Sequence, residues 1–357
     1  MYKKIISLIL FFLLSLTSIG VLAQTQRQTT RNPWLQPFSS NSIWNTPIGS
    51  KAKYVPANIK PAGWVAPDVE YFFRLKKTDP KRPLYTPGSW TKRCQGNKTA
   101  YISLPIPDNL IIPDATTKPY NTPNNAAAFL LPDGKTLVQV NALARCVKGG
   151  PIYGWRYFPD VSLYSEGIGG GHFGSGLSSI GGSIRKGELI NNRPIPHALK
   201  ILLWGRKYLY YSNDRKGFRY PGDRADNYAA KEYKGKNPAL VQGSLLAIPP
   251  QVKQKSLKLK TIPGKKIFQA LQDYGAYVVD DSAWDAHYIN MESGVMEEVK
   301  QAYGFSLSGN TGDFFNDINK LFSQLKVVDN NSPNSIGGGG KPRRPLAPPL
   351  KRLETRD

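Results

Sequence analysis

Short apolar runs separated by turn residues recur along most of the chain. Two of them, at 129–131 and 136–140, flank Asp133-Gly134, and because Asp-Gly suits a tight turn, this segment predicts a β-hairpin. Further runs of strand length lie at 152–158, 182–189, 197–204, 207–212 and 244–248. The 33 glycines and 29 prolines supply frequent chain breaks, so the pattern predicts sheets rather than a helical bundle.

Two segments near the end of the chain have helical spacing instead. Apolar residues recur at helical intervals within 265–274, and Gly275 is suited to end that helix in a left-handed conformation ahead of a strand at 276–279. Residues 313–325 repeat the helical pattern. We therefore predict a mainly β fold, a single large β-sandwich or jelly-roll-like domain with a few peripheral helices.

The composition divides the chain around this domain. Residues 24–36 form a polar leader, 37–336 the single β-rich domain, and 337–357 a tail rich in glycine, proline and basic residues, which we expect to be loose. Within the domain, the proline-rich segment 56–123 is expected to wrap the core in extended and turn conformations.

The first 23 residues have the composition of a secretory signal peptide. Lys3 and Lys4 precede an uncharged apolar run, which ends in the small-residue exit Val21-Leu22-Ala23. The alternative is an N-terminal membrane anchor, since residues 5–23 are nearly long enough to span a bilayer. The polar residues that follow favour cleavage, so we expect a secreted protein, extracellular or periplasmic, with no membrane span left after cleavage.

Cys94 and Cys146 are the two cysteines of the chain. In an oxidising compartment an even pair predicts a disulfide. A bond across these 52 residues would stabilise the fold by about 3–4 kcal/mol on the chain-entropy model. The alternative, a nucleophilic or metal-binding thiol, has no support from neighbouring histidines or a C-x-x-C spacing.

The formal net charge of +23 suits a polyanionic partner. Lysine and arginine are spread throughout, without a basic helix, a zinc-finger spacing or an RNP motif, and an exported protein meets little nucleic acid. We therefore predict a polysaccharide partner, neutral or anionic, and no nucleic acid. A basic surface that serves solubility alone is the simpler alternative.

The three histidines are His172, His197 and His287, and their scarcity makes each a candidate for proton transfer near neutral pH. His172 lies in the glycine-rich segment 169–176, whose backbone can turn tightly or approach another molecule closely. It can face a groove or occupy a sheet corner with its hydrogen bonds satisfied. His197 opens the predicted strand 197–204 on its apolar face, as a core residue bonded to backbone or as a catalytic base.

Asp280, Asp281 and Asp285 follow the predicted strand 276–279, where carboxylates suit acid–base catalysis or turn capping. Glycoside hydrolysis usually needs two carboxylates, and Glu188 and Glu166 are the other candidates near the glycine-rich segment. Because neighbouring strand residues point to opposite faces, at most one of Asp280 and Asp281 is expected to line a given site. The histidines show no metal-binding spacing, and we predict no metal and no cofactor.

Aromatic and cationic side chains complete the candidate site. Trp204 and Trp284 can stack on sugar rings. Arg185 and Arg224 can neutralise a uronate carboxylate while a base such as Tyr228 removes the α-proton, as a lyase requires.

Several segments between residues 165 and 290 resemble, in order, those of a broad group of exported bacterial proteins. The shared segments are G-x-I-x-x-x-E-[LI], H-A-L, an aspartate-containing loop, an apolar run ending in proline and an A-L-Q-x-Y-G-A-Y-V-V-D close, here at 182–189, 197–199, 225–228, 245–250 and 270–280. The group has no assigned activity, so the resemblance implies export and an intact domain. It directs attention to Glu188, His197, Asp226 and Asp280, with Asp226 as a substrate-binding candidate.

We predict a secreted enzyme that degrades an extracellular polysaccharide. A lyase would use His197 or Tyr228 as its base, and a hydrolase would use Glu188 and Asp280 as acid and base. The alternatives are a non-catalytic carbohydrate- or cell-surface-binding protein and a structural envelope protein. The enzymatic predictions require His172, His197 and Asp280 to converge on one open groove.

Overall fold

The computed structural model describes residues 30–112, 115 and 123–355. The predicted signal peptide 1–23 and the first part of the predicted leader 24–36 lie outside the described residues. Within the described ranges, no helix combines the length and the apolar character needed to cross a bilayer.

Thirteen strands in the described ranges form one hydrogen-bonded sheet. In chain order they are β1 Tyr54–Pro56, β2 Trp64–Arg74, β3 Lys81–Tyr85, β4 Thr99–Pro105, β5 Ala127–Leu130, β6 Thr136–Ala144, β7 Ile152–Trp155, β8 Val161–Ser162, β9 Leu199–Leu203, β10 Leu245–Ala247, β11 Ala276–Asp281, β12 Ala286–Glu292 and β13 Lys326–Val328. The helices are α1 Gly205–Tyr208, α2 Ala229–Glu232, α3 Gln254–Leu257, α4 Ile262–Asp273, α5 Val295–Tyr303 and α6 Gly312–Gln324.

The sheet is mixed, in the order β1-β13-β10-β11-β9-β12-β2-β5-β6-β7-β3-β4, with β8 paired to β6. Its centre contains the parallel pairs β9–β11 and β2–β12. Parallel strands end at the same edge of a sheet, so the residues that follow β9 and β11 lie side by side. This edge carries the candidate site described below.

Strands from both halves of the sheet pack into one shared hydrophobic cluster, which is consistent with a sandwich-like domain. Ala128 of β5 and Tyr277 of β11 belong to this one cluster although their strands lie in different halves of the sheet. Trp44 and Leu177, from loops, fill the space between the halves. The prediction of a mainly β domain with a few peripheral helices is confirmed.

Local sequence patterns predicted several elements correctly. The hairpin forms between β5 and β6, with Asp133 Oδ1 accepting the Thr136 N–H at 2.8 Å and Gly134 in the left-handed region. Helices α4 and α6 form where helical spacing was found, and Gly275 follows α4 at φ +78°. Both helices pack on the outer face of the sheet against a second cluster, which includes Leu199 and Val278.

Two predicted strands are wrong. Residues 182–189 form turns, because Gly182 and Gly187 both adopt left-handed φ angles that interrupt an extended strand. The predicted strand 207–212 is not formed, because its first residues belong to helix α1.

The segments outside the predicted core are also ordered. The proline-rich segment 56–123 contributes β2, β3 and β4 to the sheet. The expected loose tail is wrong for residues 337–355, because Arg344 pairs with the buried Asp273 at 2.6 Å and Lys351 donates to the backbone of Arg31. The predicted disulfide between Cys94 and Cys146 is present.

Candidate functional site

An open pocket of about 430 Å³ lies at the edge where β9 and β11 end. Trp204 directly follows β9, and Asp281 is the last residue of β11. Tyr228 and Glu232, from the start and end of α2, complete its polar and aromatic lining together with Arg206. The pocket therefore combines two carboxylates with two aromatic side chains, and we call it the carboxylate pocket.

Asp281 is held by the backbone of two neighbouring segments. Its Oδ1 accepts the Gly205 N–H at 2.7 Å and the Ala283 N–H at 2.8 Å, which fixes the carboxylate at the pocket wall. Burial raises the pKa of Asp281, while these backbone donors partly oppose the shift. Of the neighbouring carboxylates Asp280 and Asp281, Asp281 is the one that lines this pocket.

Glu232, the second carboxylate of the pocket, has the opposite electrostatic environment. Its Oε2 lies 2.5 Å from an Arg206 guanidinium nitrogen. The hydrogen bond from Arg206 lowers the pKa of Glu232, and its charge adds to the effect. The two carboxylates of the pocket are therefore shifted apart, Asp281 toward the protonated form and Glu232 toward the ionised form.

Tyr228 connects this pocket with Asp226. The pKa values of Asp226 and Asp281 are both raised by burial, and hydrogen bonding from Tyr228 opposes part of each shift. Burial nevertheless raises the pKa of Asp226 to about 6, and the Tyr233 hydroxyl donates to this carboxylate. Burial and the nearby carboxylates raise the pKa of Tyr228 itself. Tyr228 therefore stays a phenol at neutral pH, and its predicted role as a base does not fit the structure.

His172 belongs to a separate, fully buried cluster beneath the glycine-rich segment. Its Nε2 lies 2.8 Å from Glu70 Oε1 and 3.0 Å from Lys200 Nζ. Lys200 Nζ donates to Glu70 Oε1 at 2.7 Å and to the Ser178 carbonyl oxygen at 3.0 Å. The side chains of Glu70, His172 and Lys200 are all 0% exposed, so none of them reaches solvent. We call these residues and Asp280 the buried charged cluster.

Asp280 joins this cluster rather than the carboxylate pocket. Its Oδ2 lies 3.5 Å from His172 Nδ1, and only 6% of the residue is exposed. A Cβ on Gly174 would lie 2.5 Å from Asp280 Oδ1, which explains the need for glycine there. Burial raises the pKa of Asp280 to about 7 and lowers that of His172 to about 4. The glycine-rich segment therefore covers His172 and does not bring it to an open groove.

Glu188 and His197 form a pair near the opposite ends of the central strands. His197 Nε2 lies 3.2 Å from Glu188 Oε2, and its Nδ1 lies 2.8 Å from the Ala198 carbonyl oxygen. His197 precedes β9, whereas Asp280 lies near the end of the parallel strand β11, so the two residues are at opposite strand ends. The expected convergence on one groove is not observed. Glu188 cannot pair with Asp280 as a catalytic acid and base.

The two predicted substrate-binding arginines are engaged elsewhere. Arg185 is 1% exposed, and its Nε donates to Glu292 at 2.9 Å, so it cannot meet a substrate carboxylate. Arg224 is partly exposed and pairs with Asp223 at 2.7 Å while lying over the Phe158 ring. Neither residue lines the carboxylate pocket.

Trp284, also predicted to bind substrate, is 46% exposed and lies against Trp64, with ring centroids 6.1 Å apart. His287 is buried, with its Nε2 2.9 Å from the Lys60 carbonyl oxygen and its ring stacked on Phe322. His287 is therefore part of the packing and faces no pocket. No group of three or more histidine, cysteine or carboxylate side chains in the described ranges is placed to hold a metal ion.

Sequence reasoning missed a strip of aromatic side chains. Trp90 and Trp155 stack at 6.0 Å, and Phe173 lies 5.8 Å from Trp155 and 5.0 Å from Tyr157. Tyr157 is 62% exposed and Trp90 38%. Phe173 adjoins Gly174, which contacts Asp280, so this aromatic strip begins beside the buried charged cluster.

Comparison of the chain with protein-family models, with curated proteins and with solved structures finds no match. The candidate site therefore has to be interpreted from its own geometry.

Proposed function

We propose that this protein is a secreted enzyme that hydrolyses a glycosidic bond of a polysaccharide in the carboxylate pocket. One observation carries the proposal: Asp281 and Glu232 line the same open pocket as the aromatic side chains of Trp204 and Tyr228. Aromatic faces suit the apolar faces of sugar rings, and glycoside hydrolysis uses a pair of carboxyl groups.

The two carboxylates have distinct roles in this proposal. Asp281, whose pKa is raised, donates a proton to the glycosidic oxygen as the bond to the anomeric carbon breaks. Glu232, which Arg206 keeps ionised, accepts a proton from the water that attacks that carbon. Tyr228 acts as a hydrogen-bond donor that positions Asp281.

Lyase chemistry has less support. Elimination from a uronate needs a base and a cation beside the substrate carboxylate, yet Tyr228 stays protonated and Arg185 is buried against Glu292. Hydrolysis is therefore the version that the pocket favours.

Secretion is part of the same proposal. The Cys94–Cys146 disulfide supports an oxidising compartment, since structural disulfides form mainly in exported proteins. The resemblance to exported bacterial proteins and the composition of residues 1–23 remain predictions in the same direction.

A second candidate function is non-catalytic carbohydrate binding, and the aromatic strip favours it. Contiguous, partly exposed aromatic side chains on a protein surface mark a binding site for a ligand with apolar faces. The strip can bind a sugar chain whether or not the carboxylate pocket cleaves it, so a test has to measure retention and turnover separately.

Asp281→Asn and Glu232→Gln test the proposal on a panel of neutral and acidic polysaccharides, followed by new reducing ends and by absorbance of unsaturated products. Hydrolysis yields reducing ends without unsaturated products, and each substitution should lower turnover about 10²–10⁴-fold. Asp329→Asn is the matched control, since Asp329 is an exposed carboxylate paired with Arg219.

Three results would contradict the proposal. Full activity of the Asp281→Asn variant would exclude the assigned acid, and unsaturated products would identify a lyase. Retention of a polysaccharide by the unmodified protein without any product would leave carbohydrate binding as the function.

A further inference from the structure

A second cavity, of about 620 Å³, lies against helix α1 and the segment that follows α2. Four exposed lysines line it, Lys60, Lys207, Lys234 and Lys236. None of the lining residues found in the described structure is an aspartate or a glutamate. We call this cavity the lysine basin.

The wall of the basin is fixed by hydrogen bonds. The Tyr208 hydroxyl accepts the Lys60 N–H at 3.1 Å and donates to the Lys60 carbonyl oxygen at 3.2 Å, which ties that segment to α1. Lys207 Nζ lies 3.3 Å from an Asp285 carboxylate oxygen. Within the described ranges, no carboxylate lies within salt-bridge distance of the ammonium groups of Lys60, Lys234 or Lys236. The basin therefore holds a cationic excess.

Residues that are close in sequence line the basin and the carboxylate pocket. Arg206 lines the pocket and Lys207 lines the basin, while Glu232 lines the pocket and Lys234 follows it into the basin. Arg206 and Lys207 are successive residues of α1 and point about 100° apart, so the two cavities lie on different sides of α1. A chain molecule can contact both.

We infer that the lysine basin binds the anionic group of an acidic polysaccharide, a carboxylate or a sulfate, while a neighbouring sugar ring lies in the carboxylate pocket. Concave surfaces lined by charge of one sign concentrate ions of the other sign, and ammonium groups bind such anions as point charges. The position of the neighbouring ring rests on the proposed function, but anion binding in the basin does not.

The test is calorimetric binding of a galacturonate trisaccharide to the full chain, with its methyl ester as an uncharged probe of the same rings. A sulfated galactose trisaccharide and inorganic sulfate are parallel probes. The double variant Lys234→Gln/Lys236→Gln should bind the charged trisaccharides about tenfold more weakly. Binding of the methyl ester should be weak and insensitive to this substitution, and binding of the charged probes should fall with added salt.

The matched control is Lys76→Gln/Lys77→Gln, which removes the same charge from two exposed residues that do not line the basin. Equal losses in the two double variants, or no loss in either, would overturn the inference. Inorganic sulfate that binds as tightly as the charged trisaccharides would overturn the assignment to a polysaccharide.

Asp281→Asn separates this inference from the proposed function. The variant should lose turnover and still bind the charged trisaccharides. If turnover survives while the lysine substitutions weaken binding, the proposed catalysis fails and the basin stands.

Discussion

The carboxylate pocket and the buried charged cluster contain similar residue types on the same sheet, yet they differ in access to solvent. In the buried charged cluster, Glu70 and Lys200 are 0% exposed and hydrogen-bond to each other. In the carboxylate pocket, Glu232 and Arg206 also pair, but their side chains are 33% and 62% exposed. Burial thus turns one ion pair into a structural element and leaves the other beside an open cavity.

Adjacent residues of β11 belong to the two different sites. Asp280 points to His172 beneath the glycine-rich segment, whereas Asp281 points to the backbone of Gly205 at the pocket wall. Neighbouring strand residues face opposite sides of a sheet, so a shift of one position exchanges a buried carboxyl group for an accessible one. Perturbed pKa values occur in both places, and accessibility decides which group can meet a substrate.

The largest effect that tests this comparison is on stability. Lys200→Met leaves the buried Glu70 carboxylate without its cation and should lower the free energy of unfolding by about 3–5 kcal/mol. Lys207→Met is the control at an exposed pair with Asp285 and should cost less than about 1 kcal/mol. Urea denaturation of both variants measures the difference.

A double variant sharpens the interpretation. Glu70→Gln added to Lys200→Met removes the unpaired charge and should recover part of the loss. If the free energy of unfolding of the Lys200→Met variant lies within about 1 kcal/mol of that of the unmodified protein, the buried pair is not a structural element.

The next effect is the pH dependence of stability. Burial lowers the pKa of His172 from 6.5 to about 4, so the folded protein holds the ring neutral. As pH falls from about 6.5 to about 4, the unfolded chain binds this proton first, and the folded state loses stability. The His172→Gln variant should therefore lose up to about 3 kcal/mol less of its free energy of unfolding between about pH 6.5 and about pH 4. Urea denaturation at several pH values measures this difference.

His197 provides a control of opposite sign. Burial acts to lower the pKa of His197, but Glu188 opposes it, and the pKa is raised overall. Protonated His197 therefore contributes to the free energy of unfolding at low pH, and this contribution is lost as pH rises. His197→Gln should therefore steepen the acid-side loss. If both substitutions change the pH dependence in the same direction, the environments assigned to these histidines are wrong.

Much of the fold could be predicted because its signals are local. The hairpin at Asp133-Gly134 and the helix that ends before Gly275 depend on residues that are neighbours in the chain. The predicted strand at 182–189 failed because the left-handed glycines there override its apolar pattern. The tail at 337–355 is fixed by contacts with residues such as Asp273 and Arg31, which composition cannot indicate.

The candidate site was predictable only in part. Sequence reasoning identified His172 and Asp280, which do lie together, but it also joined them with His197, which the parallel register of β9 and β11 places at the other strand end. Glu70 and Lys200 carried no local signal, because the sheet brings β2 and β9 together across 130 residues of sequence. Pairing between distant strands was the missing information.

The smallest effect expected is also the most specific to the carboxylate pocket. Arg206→Gln removes the hydrogen bond and charge that lower the pKa of Glu232, so that pKa should rise toward its ordinary value. Because the proposed hydrolysis requires ionised Glu232 and protonated Asp281, the acid limb of the kcat/KM profile should move to higher pH while the alkaline limb stays in place. Stability should change little, since solvent screens this exposed ion pair.

Arg193→Gln, at an exposed arginine that does not line the pocket, should leave both limbs unchanged. An acid limb that does not move in the Arg206→Gln variant would remove Glu232 from the mechanism, and this accessible carboxylate would then resemble the buried Glu70 in having no part in catalysis.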